Sequence, residues 1–326
     1  MGFVYIAIGF MVFGLFCIFS LGLHRRPRYI RNFEEDEYGK ENPFVEPVST
    51  ENGIAVYVVG KGPPVLLFPY PHAHTTTPMA QGPLSELLTG MGRTVITFDV
   101  PGAYRSERGP KGDMDEILHC ARETLERIGI EGPVDVVGHS MGGLCALAFS
   151  LENPESTRSL VLIGSMSGFP AVVRWAGPGS YFKVTSLDYW RLIFWGIRVT
   201  AGRANLETHK KLQNLMEGAS YVDKTLFKPV KIEPDDRTEG VPVRMIWSKN
   251  MYSKLSFDER LGSVEAPTLV AVGRHDPEAP LSCSEELAAG IPDARLVVFE
   301  QSAHMPFIEE PGLFKDVLCR FYEKIE

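Results

Sequence analysis

Cysteine pairs at metal-ligand or redox spacing are missing from this sequence. Its five cysteines (Cys17, Cys120, Cys145, Cys283 and Cys319) contain no CxxC. An odd number scattered over a long chain argues against a disulfide framework. No two have finger-like spacing, so cysteine ligation of a metal is not expected. Positive charge is also short: 33 Lys and Arg stand against 41 Asp and Glu, for a net charge of -8. Neutralising phosphates requires clustered basic residues, so no nucleic-acid partner is expected. There is no repeat with a period of about 20–50 residues, and no low-complexity tract. What remains is an ordinary globular composition, 44% hydrophobic and 23% charged. Its 326 residues are enough for one large α/β domain or two smaller ones.

One stretch lacks charge altogether. Phe3 to Leu23 reads FVYIAIGFMVFGLFCIFSLGL, and about 20 such residues suffice to cross a bilayer core. Arg25, Arg26, Arg28 and Arg31 follow at once. No positive n-region precedes the run and no A-x-A-like site follows it, which disfavours a cleaved signal peptide. Placing the arginines on the cytoplasmic side predicts a single-pass membrane anchor over 1–26, with the rest of the chain in the cytoplasm. A cleaved signal and a buried core helix are the alternatives. Residues 27–52, acidic and broken by Pro43 and Pro47, read as a linker.

Beyond it, short apolar runs alternate with helical patterns. Ile54–Val59, Val65–Phe68, Thr94–Phe98, Val134–Val137, Leu160–Ile163, Thr268–Val272 and Leu296–Phe299 read as strands. Asp115–Ile128, Met141–Leu151, Ser284–Ala289 and Leu313–Lys324 read as helices. Near-continuous Val, Leu and Ile strands between helices imply a mostly parallel sheet covered on both faces. About a hundred residues after Ile163 break this alternation. They predict a helical insertion over the sheet's C-terminal edge, where open α/β folds bind ligands.

The most specific signal is VDVVGHSMGGLCALAFS, Val134 to Ser150. It sets Gly138-His139-Ser140-Met141-Gly142, a G-x-S-x-G, between an apolar strand and a helix, the context this motif requires. Small residues on either side let the chain turn sharply and raise the serine hydroxyl, and the helix N-terminus below it favours negative charge. A serine needs a base to become nucleophilic. In the order Ser, Asp, His, LVAVGRHDPEAP offers Asp276 and LVVFEQSAHMPFIEEP offers His304, each on a loop leaving a strand. Asp276 would orient the His304 imidazole and stabilise its cation. Asp135 reads as a cap or surface group, His275 as a loop side chain and Cys145 as helix core.

These motifs resemble the α/β-hydrolase superfamily over about Gly53 to Glu326, including the Gly273-to-Asp276 G-x-x-D and the His304, Glu309, Pro311 pattern. Ala303 stands where a glycine often precedes the histidine. The turn after Asp99 departs further, with Pro101 in place of the usual arginine. The resemblance implies an α/β-hydrolase fold: core residues 53–164 and 256–326, and an inserted helical lid over 165–255. It also implies a serine hydrolase that needs neither metal nor other cofactor and acts on a small-molecule acyl substrate. An ester of apolar or lipid-like character is the leading expectation. Proline iminopeptidases and cofactor-free C–C bond hydrolases resemble the chain too, and a catalytically silent binding protein is the remote alternative. An iminopeptidase needs acidic lid residues to hold an amino terminus, for which Glu207, Glu217 and Glu233 are the candidates. Ser140 sets the chain apart from the Asp-nucleophile dehalogenases and epoxide hydrolases.

The segment LLFPYPHAHTTTP, Leu66 to Pro78, occupies the turn after the first core strand. In the family alignment, the backbone N–H groups of Tyr70 and Met141 would form an oxyanion hole. Pro69 and Pro71 carry no N–H, which leaves Tyr70 as the donor between them. His72 and His139, with Trp190 and Phe194 of the aromatic lid segment Tyr181–Arg198, are candidates for substrate contact. His74 shares the reading of His72, with a loop-stabilising role as the alternative for both.

Overall fold

The computed structural model describes residues 28–31, 45–71, 79–102, 105–108, 111–176, 180, 182–200, 211, 214–216, 218–227, 232–235 and 255–325. Its strands are β1 (Arg28–Arg31), β2 (Val56–Gly60), β3 (Pro64–Leu67), β4 (Thr94–Phe98), β5 (Val134–His139), β6 (Thr157–Ile163), β7 (Ile232–Asp235), β8 (Thr268–Gly273) and β9 (Ala294–Phe299). Its helices are α1 (Pro83–Gly90), α2 (Met114–Arg127), α3 (Ser140–Glu152), α4 (Phe169–Trp175), α5 (Leu187–Thr200), α6 (Leu281–Gly290), α7 (Pro306–Glu309) and α8 (Pro311–Tyr322).

Seven strands form one sheet in the order β2-β4-β3-β5-β6-β8-β9. Only β2 runs antiparallel to its neighbour; every other pairing is parallel. Successive residues of a strand face opposite sides, and here both sides are buried. Val136, Leu160, Leu162 and Val270 pack into one core. Val137, Val161, Ile163, Leu269 and Ala271 pack into the other, against Phe314 and Leu318 of α8. This two-sided burial is why the strands read as unbroken apolar runs. Helix α3 is buried from Ser140 to Ser150, as expected of a helix apolar on all sides.

The boundaries differ from the expected ones by a few residues, and α1 carries no clear signal in the sequence. Two differences are larger. Asp135 is not a surface group: it is fully buried at the start of β5. Its carboxylate accepts from Arg93 Nη1 at 3.2 Å, Arg158 Nε at 2.9 Å and Ser159 Oγ at 2.6 Å, and Arg93 also lies 4.0 Å from the centre of the Tyr322 ring. A carboxylate this deep is tolerable only when paired. The stretch expected as linker also contributes structure, since β1 pairs antiparallel with β7 of the insertion and Ser49 bridges Val56. Among the described residues no helix is long and apolar enough to cross a membrane. The expected span, Phe3 to Leu23, lies outside them.

Candidate active site

Ser140 sits where β5 becomes α3, with a φ of 53°. A non-glycine residue in this region is strained unless its surroundings impose it. Close packing imposes it here. A Cβ on Gly142 would come within 2.8 Å of the Phe68 carbonyl, so the first turn of α3 can lie against the loop leaving β3 only because that position is glycine. The Ser165 hydroxyl fixes the turn from the other side by donating to Ser140 O at 2.9 Å.

Two loops beyond the insertion carry the candidate acid and base. Asp276 follows β8 and His304 follows β9, and both are buried. His304 Nδ1 donates to Asp276 Oδ2 at 2.7 Å. The other carboxylate oxygen accepts the backbone N–H of Glu278 at 2.8 Å and of Ala279 at 2.9 Å, which fixes its orientation. Gly164, at a φ of 48°, leaves room for the pair: a Cβ there would lie 3.0 Å from Asp276 Oδ2 and 3.1 Å from His304 Nδ1.

His139 joins the serine turn to the histidine loop. Its Nε2 donates to the His304 carbonyl at 2.8 Å, and the two rings lie 4.5 Å apart. A carbonyl only accepts, so Nε2 carries the proton. In the neutral ring Nδ1 then accepts from the Tyr70 hydroxyl at 2.6 Å. Both nitrogens of the buried His139 are thus engaged within the scaffold.

The electrostatics of the imidazole are unusual. Burial alone pulls His304 down, but the carboxylates of Asp276, Glu278 and Glu309 outweigh it and hold the group at about 9. Glu278 escaped the sequence reading. Its Oε2 lies 3.6 Å from His304 Nε2, and no motif marks a residue two places after the acid. Glu309 has a mainly backbone role, accepting from Ala303 N at 2.7 Å and Val222 N at 2.6 Å, so it ties the insertion to the histidine loop. Asp99, buried after β4, is pushed up to about 6 by burial despite bonds from Tyr57 Oη and Arg105 N.

Tyr70 and Met141 lie on the loop after β3 and the first turn of α3, the two segments that Gly142 brings together. Trp190 and Phe194 are 48% and 57% exposed on α5, on one face with exposed Leu187, while Tyr189 turns inward. Cys145 is helix core, and burial pushes its thiol up. His72, His74, Glu207 and Glu217 lie outside the described residues, and of the Glu233 side chain nothing is described. Among the described residues no three His, Cys, Asp or Glu side chains gather in a way that could hold a metal ion.

A strained serine between strand and helix, with a buried Asp–His pair on later loops of the same sheet, is an arrangement suited to hydrolysis. Comparison with known proteins agrees on the class. The family model described as alpha/beta hydrolase fold matches residues 77–311, and the chain belongs to that family. It is 27% identical to a 2-hydroxy-6-oxononadienedioate/2-hydroxy-6-oxononatrienedioate hydrolase of Cupriavidus pinatubonensis, over 72% of this chain and 78% of that one. Among solved structures it resembles an alpha/beta fold family hydrolase from Bacillus anthracis, with a TM-score of 0.67 and 20% identity, covering 84% of this chain and 95% of that one. It also resembles an esterase from Exiguobacterium antarcticum, with a TM-score of 0.59 and 18% identity, covering 83% and 95%. The chain is a hydrolase of the α/β-hydrolase fold.

Proposed function

We propose that the protein is a serine hydrolase acting on a carboxylic ester of apolar character, with Ser140 as nucleophile, His304 as base and Asp276 as its orienting acid. The observation that carries this is the 2.7 Å bond from buried His304 to Asp276, on a loop that His139 ties to the strained Ser140 turn. His304 Nε2 takes the Ser140 hydroxyl proton as Oγ bonds to the carbonyl carbon, whose π electrons move to oxygen. The N–H groups of Tyr70 and Met141 bind that oxyanion, a contribution of about 3 kcal/mol per donor in such sites. When the carbon–oxygen bond to the leaving group breaks, Nε2–H returns its proton to the departing alkoxide. Water, deprotonated by His304, then releases the acid and frees Ser140. The insertion over 165–255 forms the lid, and the exposed aromatic face of α5 supports an apolar acyl pocket or contact with a bilayer interface. The uncharged run Phe3 to Leu23 supports membrane anchoring by 1–26.

A second reading, C–C bond hydrolysis, is favoured by the relative that acts on an oxo-dienedioate. The same serine, base and acid would attack a ketone rather than an ester. A panel of p-nitrophenyl esters of increasing chain length, run beside a vinylogous diketone acid, separates the two. Ester turnover with a chain-length optimum supports esterase chemistry; diketone cleavage with negligible ester turnover overturns it.

A further inference from the structure

The mechanism above uses one carboxylate at His304, and the site holds two. Asp276 bonds Nδ1, while Glu278 Oε2 stands 3.6 Å from Nε2. That is beyond hydrogen-bond reach but well within Coulombic range. The other Glu278 oxygen accepts from the Ser220 hydroxyl, and the Ser220 carbonyl accepts from His304 N at 2.9 Å. Carboxylate, imidazole and the 218–220 turn are therefore one connected unit. The nearby charges are otherwise occupied: Glu309 accepts backbone N–H groups, and Lys224 Nζ donates to the carbonyls of Gly218 and Tyr221. The Asp276 side chain is fully buried, whereas that of Glu278 keeps 22% exposure, so Glu278 retains an open side.

Nε2 is the nitrogen that exchanges its proton with Ser140 and with the departing group. A residue beside Nε2 therefore borders the leaving group rather than the acyl chain. A fixed negative charge there attracts a cationic leaving group and repels an anionic one. We propose that Glu278 is a specificity-determining residue that selects substrates whose leaving group is a cationic amino alcohol and rejects those whose leaving group carries a carboxylate. The inference rests on His304 serving as base to Ser140. One unit charge at about 6 Å, in a medium between protein and water, corresponds to on the order of tenfold in kcat/KM.

The test uses three esters of one short apolar acid: with choline, with its neutral isostere 3,3-dimethylbutanol, and with a hydroxy acid of similar size. For the full chain, kcat/KM falls in that order by about tenfold per step. In Glu278→Gln, or Glu278→Ala should the first variant fail to fold, the spread contracts by an order of magnitude or more. Ser220→Ala keeps the carboxylate's charge and preserves the order. A flat wild-type ranking, or a spread unchanged in the neutral variants, overturns the assignment. Fluorophosphonate labelling of the same samples separates the two failures. A labelled Glu278 variant with an unchanged ranking removes only the role of Glu278, whereas a folded wild type that takes no label removes the serine reading and this one with it.

Discussion

His139 donates its Nε2 proton to the backbone carbonyl of His304 across 165 residues of sequence. The residue before the candidate nucleophile thus holds the loop of the candidate base, and the Tyr70 hydroxyl holds His139 in turn. One buried imidazole links the three segments that carry Tyr70, Ser140 and His304. His139→Ala removes the imidazole that bonds both the Tyr70 hydroxyl and the His304 carbonyl, at a cost of about 1–3 kcal/mol for a lost buried bond. The expected result is a lowered Tm together with at least a tenfold loss of kcat. A variant with wild-type kcat would show that the tie does not position His304.

In the proposed mechanism Tyr70 makes two separable contributions. Tyr70→Phe removes the hydroxyl but keeps the backbone donor, so a loss of about 1 kcal/mol of stability and a modest drop in kcat are expected. Tyr70→Pro removes the N–H, and kcat should fall by about 10²–10³ in a protein that circular dichroism shows to be folded. Equal kcat values for the two variants would place the oxyanion donor elsewhere.

The pH dependence follows from the carboxylates around His304. A base works only when neutral, and this imidazole is held at about 9. The rate kcat/KM should therefore rise with pH through a midpoint well above the ordinary histidine range, toward 9. Stability moves the opposite way. The folded value lies above the unfolded one of about 6.5, so the contribution of the charged pair is complete below pH about 6.5 and is lost as pH rises toward 9. Asp276→Asn removes the bond that fixes the tautomer, and kcat should fall by on the order of 10⁴. A midpoint near 6.5 in the wild type would contradict this carboxylate environment of Asp276, Glu278 and Glu309.

Asp135 supplies a stability test at the far end of β5 from Ser140. Asp135→Ala removes the buried carboxylate that accepts from Arg93, Arg158 and Ser159, a change expected to cost about 3–5 kcal/mol. Urea unfolding should show the loss, while the fraction that remains folded still takes an active-site label. Unchanged stability would mean that the two arginines find solvent instead.

Much of the scaffold was legible because parallel strands buried on both faces must be apolar throughout, as Val134–Val137 and Thr268–Val272 are. The placement of Ser140, Asp276 and His304 was legible for a related reason: each follows such a strand, and parallel strands deliver their loops to one edge. Glu278 was not, because its meaning comes from a side chain on the next loop rather than from spacing. Asp135 was misread for the same reason, since its partners Arg93 and Arg158 come from other strand ends. Trp190 and Phe194 announce an aromatic helix, but a face shared by Leu187, Trp190 and Phe194 reads alike whether it meets solvent, lipid or a ligand.

The most direct measurement is labelling of the full chain by a fluorophosphonate probe, with Ser140→Ala beside it. The expected result is one phosphonylated site in the wild type, at Ser140, labelled faster as pH rises toward 9, and no label in folded Ser140→Ala. A folded wild type that takes no label, or a Ser140→Ala variant that labels equally, would contradict the assignment of Ser140 as nucleophile.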